Sequence, residues 1–365
     1  MQEFNFDAFE SYAKIVVIGV GGAGNNAVNQ MIEDKIQSIE FWVINTDAQA
    51  LASSQADHRY VLGRDYTKGL GAGGNPEIGK NAAEASIDDL REIVAGANMV
   101  FIAAGMGGGT GTGAAPIVAR VAKEAGALTI AIVTRPFSFE GNSRKVKAVE
   151  GVNLLKNEVD SIIVVSNEKL MMMNGNKSIA EAFAESDRVL SQSVKTITDL
   201  ILLPGLINLD FADVKATLEG RGLALIGFGS GSGTNKAMDA ATSAIASPLL
   251  EASIKGAHSA IINVTGGPGV TLDETQEAIS YITEAAGANV NIIFGVQQNP
   301  ELQDEMLISV IATEFDEDYV PSDPTPIIRQ TRTPVEETKV EEEITAPTSK
   351  ESILPNFFSD INGDN

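Results

Sequence analysis

Short apolar, β-branched runs alternate along the chain with longer stretches of helical period. Lys14 to Gly19 (KIVVIG), Phe41 to Ile44, Met99 to Ala104, Leu128 to Thr134 and Ser161 to Ser166 read as buried strands. Helices lie between them, one from Asn25 to Asp34 and another from about Ala114 to Ala125. Strands separated by helices predict an α/β fold with a Rossmann-like, doubly wound parallel sheet, whose ligands bind at the C-terminal ends of the strands. Ser178-Ile-Ala-Glu181 is a capping box. It opens a pattern with apolar residues at Ile179, Phe183, Leu190, Val194, Ile197 and Ile201, which stops before Pro204-Gly205. A helix of roughly 25 residues, about 37 Å long, suits a strut between two domains. A second α+β unit follows, with strand-like runs at Leu223 to Gly227, Ser259 to Thr265, Asn291 to Val296 and Ile308 to Ala312.

The expected organisation is therefore a first domain over residues 1–177, a connecting helix over 178–204 and a second domain over 205–316. Residues 317–350 are rich in Pro, Thr and Glu without a period and read as a disordered acidic linker. Within 351–365, the island Ser352 to Ile361 (SILPNFFSDI) regains hydrophobicity and reads as a docking peptide. The alternative is a tail that packs back on its own domain.

Charge and composition narrow the chemistry. A net charge of −23 argues against electrostatic binding of nucleic acid or anionic lipid. It does not forbid a local phosphate pocket, because backbone N–H groups can supply the field. The chain has no cysteine, so disulfides and thiolate metal sites are excluded, and His58 and His258 are too far apart in sequence to suggest a histidine metal site. No run approaches the roughly 20 apolar residues that span a bilayer. Met1 to Tyr12 carries acids and no basic segment, unlike a signal peptide. The expectation is a soluble, cytoplasmic protein without direct membrane insertion.

Three loops carry the candidate chemistry. Gly19-Val-Gly-Gly-Ala-Gly24 follows a strand, opens a helix and fits G-x-G-x-x-G. By itself it does not tell a dinucleotide from a mononucleotide, and Asp47 ends the second strand where an NAD enzyme would place a ribose-binding acid. Gly105-Met-Gly-Gly-Gly-Thr-Gly-Thr-Gly113 is dense enough in glycine to form an anion nest, with Thr110 and Thr112 adding hydroxyls. Two such loops on neighbouring strands imply a polyphosphate between two helix N-termini. Gly69-Leu-Gly-Ala-Gly-Gly-Asn-Pro76 has similar character and could close over a terminal phosphate. No G-x-x-x-x-G-K-[ST] run occurs, so this is not a P-loop protein.

Gly107 to Gly113 (GGGTGTG) is the signature of the tubulin/FtsZ GTPase family, and the chain resembles the family's bacterial cell-division branch from about Lys14 to Phe315. Asn45-Thr-Asp-Ala-Gln-Ala-Leu51, Arg135-Pro-Phe-Ser-Phe-Glu-Gly141, Gly205-Leu-Ile-Asn-Leu-Asp-Phe-Ala-Asp213, Ala246-Ser-Pro-Leu-Leu-Glu251 and Asn291-Ile-Ile-Phe-Gly295 extend the resemblance. It implies a GTPase that binds GTP and GDP with Mg²⁺ and assembles head to tail with itself into the cytokinetic ring beneath the membrane. Gly21, Gly22, Gly108, Gly109, Thr110, Gly111 and Thr112 would serve the phosphates. Asn45, Gly73 and Gly74 would line the terminal phosphate and the Mg²⁺. Glu140 and Arg144 would hold the ribose end, and Asn26, Asn167, Phe183 and Asp187 would read the base. Asn208, Asp210 and Asp213 would act on the nucleotide of the neighbouring subunit. Residues 351–365 would dock a membrane-associated adaptor.

Several of these positions have plainer readings. Phe183 and Asp187 are four apart and share a helix face; they would be core and solvated acid in another setting. Asp210 is a good N-cap, with Asp213 at the capping-box position of a helix from Val214 to Leu218. Capping and catalysis are compatible. Met171 to Met173 reads as packing before the long helix, and so does Trp42 beside its strand. The chain departs from the family at Ala23 and Ser166, at Arg188 after Asp187, and in the tail, where Phe357-Phe is followed by Asp360 and no basic residue.

Overall fold

The computed structural model describes residues 13–174, 178–203, 205–247, 249–250, 253–287 and 289–315. The chain divides into two units, Met1–Asp323 and Pro324–Asn365, and every described residue belongs to the first. The expected linker over 317–350 and docking peptide over 351–365 lie outside the described residues.

The strands are β1 (Ile15–Val20), β2 (Glu40–Asn45), β3 (His58–Val61), β4 (Met99–Gly105), β5 (Leu128–Arg135), β6 (Ser161–Ser166), β7 (Gly222–Ser232), β8 (Ala257–Gly266), β9 (Asn291–Gln298) and β10 (Glu305–Phe315). They form one sheet in the order β3-β2-β1-β4-β5-β6-β7-β10-β8-β9. From β3 to β6 every pairing is parallel, the doubly wound order whose crevice lies at the strand C-termini. β7 pairs with β6 only over Gly222 to Ala224 and then runs antiparallel to β10, which opens the second, mixed half.

Strand β1 shows why the first half has helices on both faces. Its six residues are all buried, with Ile15 and Val17 in one core and Val16, Ile18 and Val20 in the other. A period of two with no polar face needs cover on both sides. The long helix is Ile179–Leu202, 24 residues, or about 36 Å. Ser178 and Glu181 cap it reciprocally, with the Ser178 hydroxyl accepting from Glu181 N–H at 3.2 Å and the Glu181 carboxylate accepting from Ser178 N–H at 2.7 Å. Its apolar stripe (Leu190, Val194, Ile197, Leu200) joins a core that also contains Val17 and Phe101 of the first half and Ile226, Ile261 and Ile311 of the second. The strut is thus part of a core common to both halves.

Some expectations need correction. β3 is a short edge strand with exposed His58 and Arg59, too polar and too brief for a hydrophobic pattern to show. The first helix starts at Gly21 and the helix after the second glycine loop starts at Thr110, each four residues earlier than the apolar period implies. Glycines hide a helix start because they carry no side chain to set a period. Met171 and Met172 are 42% and 65% exposed, so they are surface residues and not packing.

Close helix packing uses the last glycine of the second loop. A Cβ on Gly113 would lie 1.9 Å from the carbonyl oxygen of Pro76, at the start of the helix Pro76–Glu84. Neither atom sits on a flexible side chain, so the two helices would have to part. Gly113→Ala is expected to destabilise the fold by about 3 kcal/mol, the upper range for overpacking, measured as a lowered urea midpoint. A midpoint equal to that of the unaltered protein would show that the helices are not held this close.

Candidate functional site

The C-terminal ends of β1, β4 and β5 open into a cavity of about 410 Å³. Val20, Gly22, Ala23 and Asn26 line it from the first loop, and Gly105 to Thr134 contribute Met106, Gly108, Gly109, Thr110 and Gly111. Pro136, Glu140 and Arg144 close one side, with Asn167, Phe183, Ser186 and Asp187 at the far end. Eleven of the sixteen residues expected to contact nucleotide therefore meet in one place.

Two of the helices that begin at this cavity, Gly21–Glu33 and Thr110–Glu124, start within its glycine loops and have no side-chain cap. Their first N–H groups have no intrahelical acceptor and the macrodipoles place positive field there, which is the condition for binding an anion. The loops are pressed together to achieve this. A Cβ on Gly21, at φ +74°, would come 2.9 Å from Gly111 N, and one on Gly111 would come 2.6 Å from Gly105 O. At Gly22 and Gly108 a Cβ would meet nothing, so these two leave room for a ligand. With its amide turned to donate, Asn25 reaches Gly21 O at 2.8 Å and Gly19 O at 3.1 Å, fastening the first loop. Thr112 spends its hydroxyl within the second loop, accepting from Gly107 N–H at 2.8 Å, and does not line the cavity. Thr110 does line it and shares a hydrogen bond of 2.7 Å with Thr46.

Gly21, Asn45, Gly73 and Gly74 also lie off the cavity lining. Asn45 is buried at the end of β2, and its side-chain oxygen accepts from Asp47 N–H at 3.2 Å. Asp47 caps the helix Ala48–Ala52 through Gln49 and Ala50 N–H, at 2.9 and 3.2 Å, which accounts for the acid without a ribose. The third loop is stitched to the same region, Gly71 N–H bonding Thr46 O at 3.0 Å.

At the far end, Phe183 stands edge-on to Phe137 at 5.1 Å and to Phe139 at 6.3 Å, and remains 40% exposed. A ring held at its edge and open on a face is suited to stack on a planar group. Ser186, one turn on, donates to the Asn167 carboxamide oxygen at 2.9 Å and leaves that residue's NH₂ group for a ligand. Arg144 pairs with Glu140, and Glu140 also accepts from Phe137 N–H at 2.9 Å. The charge of Arg144 is thereby balanced, and the anion field of the cavity comes from backbone.

Sequence reasoning did not reach Asn25, Thr46, Ser186 or Lys147, which donates to Gly74 O. Ser186 was within reach, because it lies three residues from Phe183 on the same helix face. Thr46 and Lys147 act through pairings between distant segments and have no local signal. Asn208, Asp210 and Asp213 are exposed and none lines the cavity. Asp210 caps the helix Phe211–Leu218 by accepting from Asp213 N–H at 2.8 Å. Asn208 accepts from Gly205 N–H, and Leu206 and Ile207 bond the backbone of Val296 on β9.

Burial pushes the Asp187 carboxyl up to about 7. In an unfolded chain it titrates near ~4. Below that value both states are protonated and burial carries no charge penalty. As pH rises from ~4 to ~7 the unfolded chain ionises while the folded side chain resists, so stability is withdrawn over that window. Asp187→Asn is expected to change stability little at about pH 4 and to raise it at about pH 8 by roughly 2 kcal/mol, discounted from the full shift for partial exposure. Urea unfolding at both pH values tests this, and an equal gain at both would rule out the buried charge as the cause.

Residues 14–175 match the model of the Tubulin/FtsZ family, GTPase domain, and residues 222–316 match that of the FtsZ family, C-terminal domain. An FtsZ dimer from M. jannaschii is 41% identical with a TM-score of 0.80, over 84% of this chain and 90% of that one. Two Haloferax volcanii proteins share the fold. CetZ1, a GDP-bound monomer, is 22% identical with a TM-score of 0.71, over 83% of this chain and 95% of its own. CetZ2, a GTPgS-bound protofilament, is 21% identical with a TM-score of 0.68, over 83% and 94%. A glycine-lined cavity between two helix starts thus coincides with the matched GTPase domain, and the chain belongs to the tubulin/FtsZ family of GTPases.

Proposed function

We propose that the chain polymerises head to tail and hydrolyses GTP between subunits, serving as the scaffold of the cytokinetic ring in cell division. The observation that carries the nucleotide reading is the pair of uncapped helix starts on one cavity. The triphosphate takes their N–H groups, with Gly22, Gly108, Gly109, Thr110 and Gly111 around it and Gly73 and Gly74 over its end. Glu140 and Arg144 serve the ribose. Phe183 stacks on the base, while Asn26 and Asn167 bond its edge. Asp187 accepts from N1–H and the 2-amino group of guanine; adenine lacks both donors.

Magnesium takes oxygen ligands and keeps several waters. Among the described residues no cluster of three or more His, Asp or Glu could cage a metal. This donor set fits an ion held through phosphate oxygens and water, with Asn45 as the protein oxygen at that end of the site. When bound, the ion would neutralise charge on the phosphates.

Cleavage is assigned to Asn208, Asp210 and Asp213 of the adjoining subunit, because their loop is exposed and lies off its own subunit's cavity. Phosphoryl transfer needs positioning and electrostatic help more than a strong base, and two carboxylates can hold a water in line. Leu206 beside this loop is 71% exposed and Leu70 in the third loop 83% exposed, apolar surface of the kind a subunit contact buries. Subunit contact is also the state named for two similar proteins, the M. jannaschii FtsZ dimer and the CetZ2 protofilament. Residues 351–365 are assigned to a membrane-associated adaptor, which would place the polymer at the division site. Residues 317–365 hold eleven acidic and four basic residues, unsuited to direct binding of anionic lipid.

GTP turnover per subunit is expected to rise with protein concentration and then level off, in step with light scattering. A rate proportional to concentration from the lowest doses would mean that each monomer holds a complete site. Asp213→Ala is expected to bind GTP and form filaments normally while turnover falls ~10²-fold, the size of a lost catalytic group. Lost GTP binding in this variant would place Asp213 in its own subunit's pocket instead.

Deleting 351–365 is expected to leave turnover and assembly intact and to abolish recruitment by a membrane-bound adaptor. Tail-dependent co-sedimentation of the purified protein with bare anionic vesicles would overturn that assignment.

A further inference from the structure

Lys147 lies on the helix Asn142–Lys156, one turn beyond Arg144. Its ammonium donates to the Gly74 carbonyl at 2.7 Å, joining segments 73 residues apart in the chain. Gly73 and Gly74 have φ of +59° and +70°, and Asn75 N–H closes the turn on Ala72 O at 3.0 Å. Two successive central residues with positive φ match a type I′ turn, which glycine adopts without strain. A Cβ at Gly73 or Gly74 would meet nothing, so the turn has an open side. Among the described residues, neither glycine's N–H has a protein acceptor. A turn with two uncommitted N–H groups offers an anion the donors of a nest.

The turn also rests on the phosphate end of the cavity. A Cβ on Gly109 would lie 2.8 Å from the Ala72 methyl and 2.9 Å from Asn75 N. Its flanks are fastened by Gly71 N–H on Thr46 O at 3.0 Å and by the Asn75 side chain, which accepts from Glu77 N–H at 3.1 Å. The glycines between have no side chain with which to fasten themselves, and glycine is the residue most costly to order. Lys147 holds that centre. An ammonium has three donors, and with one on Gly74 it keeps two for water or phosphate oxygen.

We infer that Lys147 is a positioning residue that holds the Gly73–Gly74 turn at the cavity and thereby sets the preference for a nucleotide with a third phosphate. The second half of this statement rests on the reading of the cavity as a GTP site; the first does not. On that reading a terminal phosphate needs the nest in place, whereas a diphosphate does not reach it.

Amide hydrogen exchange of the nucleotide-free protein, together with separate GTP and GDP titrations, tests both halves. Lys147→Met keeps the length of the side chain and removes its charge. It is expected to speed exchange at Gly73 to Asn75 and to weaken GTP about tenfold, the size of one charge-assisted hydrogen bond. GDP affinity should stay within about twofold of the unaltered protein's. Lys147→Arg should restore both readouts, which a merely structural role would not separate by nucleotide. Unchanged exchange, equal losses for GTP and GDP, or a loss that Arg does not repair would overturn the inference while GTP binding by the unaltered protein left the functional reading standing. Failure of the unaltered protein to bind GTP would bring down that reading, with exchange still deciding whether Lys147 holds the turn.

Discussion

Helix N-termini leave donors that must find acceptors, and this chain meets that requirement in two ways. Asp47, Asn75, Ser178, Asp210 and Thr271 cap their helices with side-chain oxygens. The helices that start at Gly21 and Thr110 have no such oxygen. A Ser or Asp would satisfy the donors and occupy the space. Val20 and Gly109, at the two cap positions, supply no such oxygen, and the close approach of Gly21 to Gly111 and of Gly111 to Gly105 leaves no room for a Cβ between the two starts. The proposed phosphate site is thus built from donors of the kind that Asp47, Asn75, Ser178, Asp210 and Thr271 satisfy elsewhere, and its glycines divide into those that allow contact and those, Gly22 and Gly108, that leave room.

This arrangement suits a polyanion ligand in a chain of net charge −23. Surface lysines could not supply a net positive field against that background, and the cavity's Arg144 is paired with Glu140. Fixed backbone dipoles at the strand ends act at short range, where a Debye length of roughly 8 Å does little to screen them. The acid at the opposite end, Asp187, is raised by burial. In the proposed complex its ionised form gains the guanine donors, so the base supplies the stabilisation that burial withholds.

The alternation of strands and helices, the two glycine loops and the long helix were legible because each is a local pattern. Buried runs such as Ile15 to Val20 and the Ser178 box declare themselves within six residues. β3 was not legible, since His58 and Arg59 carry no apolar alternation and the strand exists only through its pairing with β2. The helix starts at Gly21 and Thr110 were hidden by the glycines that make them useful. Thr46 on Thr110 and Lys147 on Gly74 depend on neighbours 64 and 73 residues away, which no window of sequence contains. The gathering of Asn167, Phe183, Ser186 and Asp187 beside Gly22 and Gly108 also follows from the sheet, which brings the first turns of the helix Ile179–Leu202 to the ends of its strands.

The hydrogen bonds around Asp210 separate the roles of the two acids in this loop. Oδ1 of Asp210 accepts from Asp213 N–H, so that side chain's first task is to start the helix Phe211–Leu218. The expected reciprocal bond of a capping box is not made: among the described residues the Asp213 carboxylate accepts nothing, and it is exposed. A carboxylate already bonded to a backbone N–H is a weaker acceptor for water than one that is free. Within the proposed mechanism the geometry therefore ranks the pair. Asp210 holds the loop in shape with one oxygen and can touch water only with the other, whereas Asp213 has both oxygens for the attacking water of the neighbouring site. Removing Asp210 alters loop and chemistry together, while removing Asp213 takes away chemistry from a loop that keeps its cap.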